Sequence, residues 1–201
     1  MFGPATTEPP PTPEAYDKFA TVRLSATDIQ TCARTSLGLA PAGKILDNRT
    51  RRIYVDGLFD IFNVGHALQL RQAKLSFPSV HLIIGVFSDQ LCEAYGTPTA
   101  IPHLERCELV RHCRWVDQVL PDAPNIDYVV LDEGATVDPA CDKVRLKGYD
   151  AMKRIGKVIL TKRTMGLTLV TPATSTPTAP PSPTTPTSPA QEEIPEPLVE
   201  F

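Results

Sequence analysis

The sequence has 201 residues, of which 42% are hydrophobic and 21% are charged, and its net charge is −3. This length fits one domain with tails and excludes two large domains, because domains usually run to about 100–150 residues. A slightly acidic chain is not typical of proteins that bind nucleic acid, and we expect no nucleic-acid partner.

Both ends of the chain have compositions typical of disorder. Residues 1–50 are expected to be mostly disordered, with one short helix that Ser25-Ala26-Thr27-Asp28 would cap. Residues 171–201 are expected to be disordered, because their Thr, Ser, Pro and Ala bury too little apolar surface to offset chain entropy. The domain is therefore predicted to span residues 51–170.

No segment indicates export or a membrane span. The first thirty residues carry no secretory signal, and the apolar stretch Leu82 to Phe87 is far shorter than the ~20 residues of a membrane-spanning helix. The five cysteines form no Cys-x-x-Cys pair, which favours reduced thiols. We expect a cytoplasmic or possibly nuclear protein whose membrane association is weak or absent.

Short apolar runs alternate with helix-period stretches along the middle of the chain. Strands are predicted at Ile53–Val55, Val80–Val86, Val116–Leu120, Ile126–Leu131 and Val158–Leu160. Helices are predicted over 64–77, 89–95, 103–113 and 143–153. In the first of these helices, Gln69, Arg71 and Lys74 are expected to point away from the core. The alternation predicts an α/β fold with a doubly wound parallel sheet of about five strands.

One connection in this scheme is short. Only Pro121 to Asn125 separate two of the predicted strands, whereas a crossover between neighbouring parallel strands takes about a dozen residues. Three interpretations stay open. In the first, Val116–Leu120 is not a sheet strand. In the second, the chain is a shortened product of its gene, and in the third, the local topology has been rebuilt.

The loop after the first strand, Asp56 to His66, is where a ligand is expected. Ligands of doubly wound sheets bind beyond the carboxyl ends of the strands. The helix that begins there offers backbone N–H groups and the positive end of its dipole, which suit phosphate. Gly65 permits close approach of the backbone, and His66 can add a donor or a charge.

Several strings of residues occur together in one order between about Arg52 and Gly166. They are Tyr54-Val55-Asp56-Gly57-Leu58-Phe59-Asp60, Gly65-His66, Gln72-Ala73-Lys74, Phe77-Pro78, Leu82-Ile83-Ile84-Gly85-Val86 and Cys113-Arg114-Trp115-Val116-Asp117. In order and spacing they resemble the choline-phosphate cytidylyltransferases. The resemblance implies a Rossmann-like nucleotidyltransferase domain in which CTP and phosphocholine, with Mg²⁺, give CDP-choline and pyrophosphate for phosphatidylcholine synthesis. It also implies a homodimer, through the Arg114-Trp115-Val116-Asp117 segment.

The resemblance further implies roles for individual residues. Asn63 and His66 occupy the two histidine positions of the family's His-x-Gly-His signature and are the predicted catalytic residues. Asp56 is the predicted contact to the acceptor, and no metal-ligating residue is predicted. The predicted nucleotide-binding residues are Leu58, Phe59, Asp60, Gly65, His66, Asp132, Lys162, Arg163, Thr164 and Gly166.

Three positions differ from the family's motifs. Asn63 cannot carry the positive charge of a histidine, and Tyr95 stands where the family has a catalytic lysine. Asn125 replaces a Trp that helps to cage choline by cation–π attraction. Two alternatives to the choline enzyme therefore stay open. One is a catalytically impaired relative that binds CTP or a partner subunit, and the other is an enzyme for phosphoethanolamine.

A basic run covers residues 143–163, with eight Lys and Arg against one acid, Asp150. One interpretation is a solvated helix face. The other is an anion-facing surface for a triphosphate or for acidic lipid head groups.

Overall fold

A computed structural model of the chain describes residues 8–40, 49–94, 96–120, 127–133 and 150–168. One compact unit ends at Thr168, and the second unit, residues 169–201, lies outside the described residues. The tail expected to be disordered is therefore outside them, as are Tyr95 and the connection from Pro121 to Asn125.

The centre of the molecule is a five-stranded parallel sheet. Its strands are β1 Arg51–Gly57, β2 Val80–Val86, β3 Gln118–Val119, β4 Tyr128–Asp132 and β5 Val158–Thr161. They are ordered β3-β2-β1-β4-β5, so the order reverses at β1. The predicted α/β class and the predicted set of strands are confirmed, and the reversal creates the switch point at which ligands bind in such sheets.

The apolar core includes residues of the central strand β1 and of its neighbours on both sides. Ile53 of β1 pairs with Leu82 of β2 and with Tyr128 of β4, and the side chains of Ile53 and Leu82 are fully buried. Leu70 and Ala73, which are also fully buried, belong to the same apolar cluster. This packing fixes the helix that follows β1 against the sheet and so determines where its first turn lies.

Three helices lie close to their predicted positions. They are α3 Val64–Leu75, α4 Asp89–Ala94 and α5 His103–Arg111. α3 ends two residues before the predicted Phe77, because a residue that precedes a proline disfavours the helical conformation and Pro78 follows. Of the predicted 143–153 helix, only residues 150–153 are described, and they are helical. None of the described helices is long and apolar enough to cross a membrane.

The N-terminal segment, residues 8–40, carries more structure than expected. α1 Pro13–Lys18 and a 3₁₀ helix at Ala20–Arg23 precede α2 Ala26–Ser36. α2 is the predicted short helix, and Ser25 and Asp28 form its capping box. Because α2 packs on β5 and α3, the expectation of mostly disordered chain over residues 1–50 is wrong for residues 13–36.

The position of Arg71 also differs from the prediction. Its side chain, expected to point away from the core, is only 9% exposed. Its Nε donates to a Glu8 carboxylate oxygen at 2.7 Å, and its Nη2 donates to the carbonyl oxygen of Leu24 at 3.0 Å. The reason for the difference is that the N-terminal segment covers this face of α3.

The short connection joins strands that are not neighbours. Gln118 and Val119 pair with Ile83 and Ile84, so the interpretation that this region is not a sheet strand is wrong. β2 and β1 lie between β3 and β4.

Candidate functional site

A pocket of about 250 Å³ lies at the carboxyl ends of β4 and β5, beside the first turn of α3. It is next to the switch point between β1 and β4. Six of the residues predicted from the sequence line it together with Gln69 and Leu167. The six are Asn63, Gly65, His66, Asp132, Arg163 and Thr164.

Asn63 and His66 form the start of α3. Asn63 is the N-cap residue, and its Oδ1 accepts hydrogen bonds from the backbone N–H of Gly65 at 2.9 Å and of His66 at 3.3 Å. In return, His66 Nδ1 accepts from the backbone N–H of Asn63 at 3.2 Å. Two N–H groups of the first turn, which the sequence analysis expected to face a phosphate, therefore bond to the Asn63 side chain.

The His66 ring forms a cluster with two aromatic rings, which also contact each other. Its centroid is 5.4 Å from that of Phe59 and 5.6 Å from that of Phe62, on which it stacks. Burial lowers the pKa of His66 below its ordinary value, since it disfavours the charged form. Because Nδ1 accepts a hydrogen bond, the neutral ring carries its proton on Nε2.

Asp132 and Arg163 contribute opposite charges to the pocket. Asp132 ends β4, and its carboxylate accepts from the Thr161 hydroxyl at 3.2 Å. Burial raises the pKa of Asp132, while the bond from Thr161 and the charge of Arg163 act in the opposite direction. Arg163 is exposed and brings a permanent positive charge to the pocket.

The chain that follows β5, called here the 162–168 loop, is tied to α3 by a glutamine. Gln72 is 3% exposed, and its amide donates to the carbonyl oxygen of Lys162 and accepts from the N–H of Lys162, both at 2.9 Å. The Lys162 side chain does not line the pocket. It lies in a separate depression beside Thr31 and Thr35 of α2.

The same loop is tied to the N-terminal segment. The hydroxyls of Thr164 and Thr21 are 2.7 Å apart, and both residues are buried. Gly166 has φ +86°, and a Cβ at this position would lie 2.6 Å from the carbonyl oxygen of Lys18. Only glycine accommodates both this conformation and this contact, so Gly166 shapes the loop without lining the pocket.

Gly65 allows the loop to close against α3. A Cβ on Gly65 would lie 2.7 Å from Cδ1 of Leu167. Leu167 is therefore a pocket residue that the sequence analysis missed, and its contact with Gly65 is the reason that a small residue is needed in the first turn.

Leu58, Phe59 and Asp60 support the pocket from the β1–α3 loop and do not line it. Phe59 has φ 49°, which is uncommon for an aromatic residue, and its buried ring packs on His66. The Asp60 carboxylate accepts from the backbone N–H of Ala100 at 3.0 Å and of Ile101 at 2.8 Å. These residues fix the loop from which α3 begins.

Arg106 joins three segments beneath this loop. Its fully buried guanidinium donates to the carbonyl oxygens of Leu58 at 2.6 Å and Ile101 at 2.9 Å, and to Asp89 at 2.6 Å. The backbone N–H of His103 and then the Arg106 guanidinium hold the pKa of Asp89 below its ordinary value. Arg106 therefore has a structural role that its position in a short helix did not indicate.

Asp56, the predicted acceptor contact, does not line the pocket. It lies on β1, where it pairs with Gly85 of β2. The two other positions that differ from the resembled family, Tyr95 and Asn125, are outside the described residues.

The pocket is suited to an anion. The imidazole N–H of His66, the guanidinium of Arg163 and the hydroxyl of Thr164 can all donate hydrogen bonds into it, and the positive end of the α3 dipole lies beside them. Among the residues that the structure describes, Asp132 is the one acidic side chain that lines it. Such a set binds a phosphate group and stabilises charge that develops on phosphate oxygens.

Comparison with known families supports this chemistry. Residues 54–163, more than half of the chain, match the family model described as cytidylyltransferase-like. The match begins within β1, contains α3 and reaches Arg163, but it leaves out the N-terminal segment.

Individual relatives agree with the family match. The chain is 40% identical over 131 residues to choline-phosphate cytidylyltransferase of Saccharomyces cerevisiae, covering 60% of this chain and 30% of the relative. It is 39% identical over 131 residues to choline-phosphate cytidylyltransferase 2 of Arabidopsis thaliana, covering 60% and 42%. It is 33% identical over 147 residues to ethanolamine-phosphate cytidylyltransferase of Arabidopsis thaliana, covering 65% and 34%. The chain thus spans less than half the length of these relatives.

Proposed function

The chain belongs to the cytidylyltransferase-like family, and we propose that it transfers CMP from CTP to phosphocholine, giving CDP-choline and pyrophosphate. The observation that carries the proposal is the pocket in which the α3 N-terminus, His66 and Arg163 converge within the matched residues. The higher identity to choline-phosphate than to ethanolamine-phosphate enzymes supports phosphocholine as the acceptor.

The reaction is a displacement at phosphorus that needs no covalent nucleophile from the protein. A phosphate oxygen of phosphocholine forms a bond to the α-phosphorus of CTP, and the bond from that phosphorus to the bridging oxygen breaks. The bridging oxygen leaves as part of pyrophosphate with the electron pair. The protein contributes by aligning two anions and by stabilising the negative charge that builds on the bridging and leaving oxygens.

The pocket residues divide this work between them. His66 donates from Nε2 as a neutral imidazole, so its hydrogen bond to a phosphate oxygen does not depend on protonation at neutral pH. Arg163 provides the permanent charge, and Thr164 provides a hydroxyl. These donors would bind the triphosphate, and Asp56 would act from β1 towards the acceptor.

Mg²⁺ would enter this site with CTP. The ion usually keeps several waters and is held by one or two carboxylates together with substrate phosphates. Asp132 fits that requirement, because its carboxylate lines the pocket and is oriented by the Thr161 hydroxyl. When bound, the ion would neutralise charge on the phosphate oxygens.

A second candidate function is binding of CTP without turnover. The observation that favours it is the Asn63 side chain, whose Oδ1 accepts from two backbone N–H groups while Nδ2 lies 3.4 Å from the Ile61 carbonyl oxygen. Such an amide stabilises the helix and does not provide the positive charge of a histidine.

Pyrophosphate release separates the two candidates. The full chain is mixed with CTP and Mg²⁺ and is assayed with phosphocholine, with phosphoethanolamine and without acceptor, while CTP binding is measured by calorimetry. The proposal expects release that depends on phosphocholine. Preferential release with phosphoethanolamine would reassign the acceptor, and CTP binding without release under any condition would favour the second candidate.

A further inference from the structure

The N-terminal segment contacts the phosphate-binding side of the pocket although it lies outside the family match. Thr21 of the 3₁₀ helix meets Thr164 at 2.7 Å, and the carbonyl oxygen of Lys18 lies against Gly166. The family match begins at residue 54. This segment is therefore outside the residues that the family model matches.

The 162–168 loop is fixed on both sides of its arginine. Gln72 holds the backbone of Lys162 with two hydrogen bonds, and Thr21 holds the side chain of Thr164. Arg163 lies between these two points and lines the pocket. Releasing either point would allow the backbone of Arg163 to shift.

We infer that Thr21 is a positioning residue for phosphate binding, acting through Thr164. A hydroxyl has a single proton, and a phosphate offers only acceptors to it. If the Thr21 hydroxyl donates to Thr164 Oγ1, the Thr164 proton is free to point into the pocket, where a phosphate oxygen accepts it. Hydrogen bonds in such a chain strengthen one another. The inference rests on the proposed function, since it assigns part of the CTP site.

The burial of Thr21 gives this contact its importance. Thr21 is 2% exposed, and Thr164 is 8% exposed, so both residues lie largely out of solvent. The segment that carries Thr21 is itself anchored on α3, because Arg71 binds both Glu8 and the carbonyl oxygen of Leu24. α3 thus contributes its first turn to the pocket and also anchors the segment that orients Thr164.

Three variants of the full chain test the inference. Thr21→Val keeps the shape of the side chain and removes the hydroxyl, and Thr21→Ser restores it. Thr50→Val is a control for the same substitution away from the pocket, because Thr50 and Ser79 form an exposed pair of hydroxyls, 2.9 Å apart, at the amino ends of β1 and β2. Dissociation constants for CTP with Mg²⁺ are measured by calorimetry, and KM values are measured for CTP and phosphocholine.

Thr21→Val should raise the dissociation constant and the KM for CTP by roughly five- to tenfold, the loss expected for one neutral hydrogen bond. The KM for phosphocholine should stay unchanged, Thr21→Ser should recover most of the loss, and Thr50→Val should bind CTP as the parent chain does. CTP binding by folded Thr21→Val within twofold of the parent would overturn the inference but not the proposed function. An equal loss of CTP affinity in Thr50→Val would do the same. A parent chain that binds no CTP would overturn the proposed function together with the inference, whereas CTP binding without pyrophosphate release would leave the inference in place.

Discussion

Asn63 and His66 cap each other across the first turn of α3. Asn63 Oδ1 accepts from the His66 backbone N–H, and His66 Nδ1 accepts from the Asn63 backbone N–H. The second of these bonds leaves the imidazole proton on Nε2, the nitrogen that is not engaged in the cap. One pair of hydrogen bonds therefore begins the helix and also determines which atom of His66 can donate to a phosphate.

Burial of His66 makes the stability of the fold depend on pH. Its pKa is lowered in the folded state, so as pH falls below the ordinary value of about 6.5 the unfolded chain takes up a proton that the folded chain does not. The free energy of unfolding should therefore decrease as pH falls from 7 towards the lowered pKa. Urea denaturation between pH 7.5 and 5 measures this decrease.

His66→Gln provides the comparison for that measurement. Glutamine at the third helical position can reach back to the N-cap N–H but does not titrate. The variant should lose less stability than the parent over the same pH range, because the glutamine amide takes up no proton there. Equal pH dependence in the two proteins would show that His66 does not titrate as inferred.

Asn63→Asp separates stability from ligand binding. Aspartate is as good an N-cap as asparagine, and its charge interacts favourably with the helix dipole, so the free energy of unfolding should be unchanged or higher. The same charge lines the pocket and should weaken CTP binding by roughly tenfold or more through repulsion of phosphate. Thermal unfolding and calorimetry with CTP give the two quantities.

Asn63→Ser is the control for this substitution, because serine caps the helix without adding charge. Its CTP affinity should remain much closer to that of the parent. A large loss of affinity in the serine variant as well would mean that the amide, and not the absence of negative charge, matters at this position.

Gln72→Leu should destabilise the fold and loosen the pocket. The substitution leaves the backbone N–H and carbonyl of Lys162 without their buried partner, which costs about 2–4 kcal/mol for two such groups. Urea denaturation measures the change, and Gln90→Leu is a control on the exposed surface of α4. If both variants had the same stability, the Gln72 bonds would contribute nothing.

Arg106→Lys tests the support beneath the β1–α3 loop. A lysine ammonium cannot reproduce the fork that binds Leu58, Ile101 and Asp89 together. We expect a loss of about 2–4 kcal/mol in stability, as for a broken buried network. Arg111→Lys, an exposed arginine of the same helix, should change the unfolding temperature little. A similar shift in both variants would contradict the structural role of Arg106.

The sequence was sufficient to predict most of the fold, because buried parallel strands and the face of α3 leave periodic apolar patterns. Both β1 and β2 were predicted from short apolar runs, and their parallel pairing follows from the alternation with helices. The α1 and 3₁₀ helices were missed, since a proline-rich segment has little apolar periodicity and owes its structure to contacts with distant residues.

The candidate site was predictable only in part for the same reason. Asn63, His66 and Arg163 occur in recognisable motifs, and the fold brings them to one pocket. Gln72, Thr21 and Leu167 act through tertiary contacts that no spacing reveals. The side chain of Lys162 lies away from the pocket, because adjacent residues of an extended chain point to opposite sides.

The contact between Thr21 and Thr164 has a consequence for the order of folding, since it joins residues 143 positions apart. Contacts between distant parts of a chain form late, because the loop between them must first be ordered. During synthesis, α2 leaves the ribosome long before β5 exists for it to pack on. The N-terminal segment can bind α3 first, through Arg71, but its contact with the 162–168 loop forms only when almost the whole domain has emerged, and that contact completes the pocket.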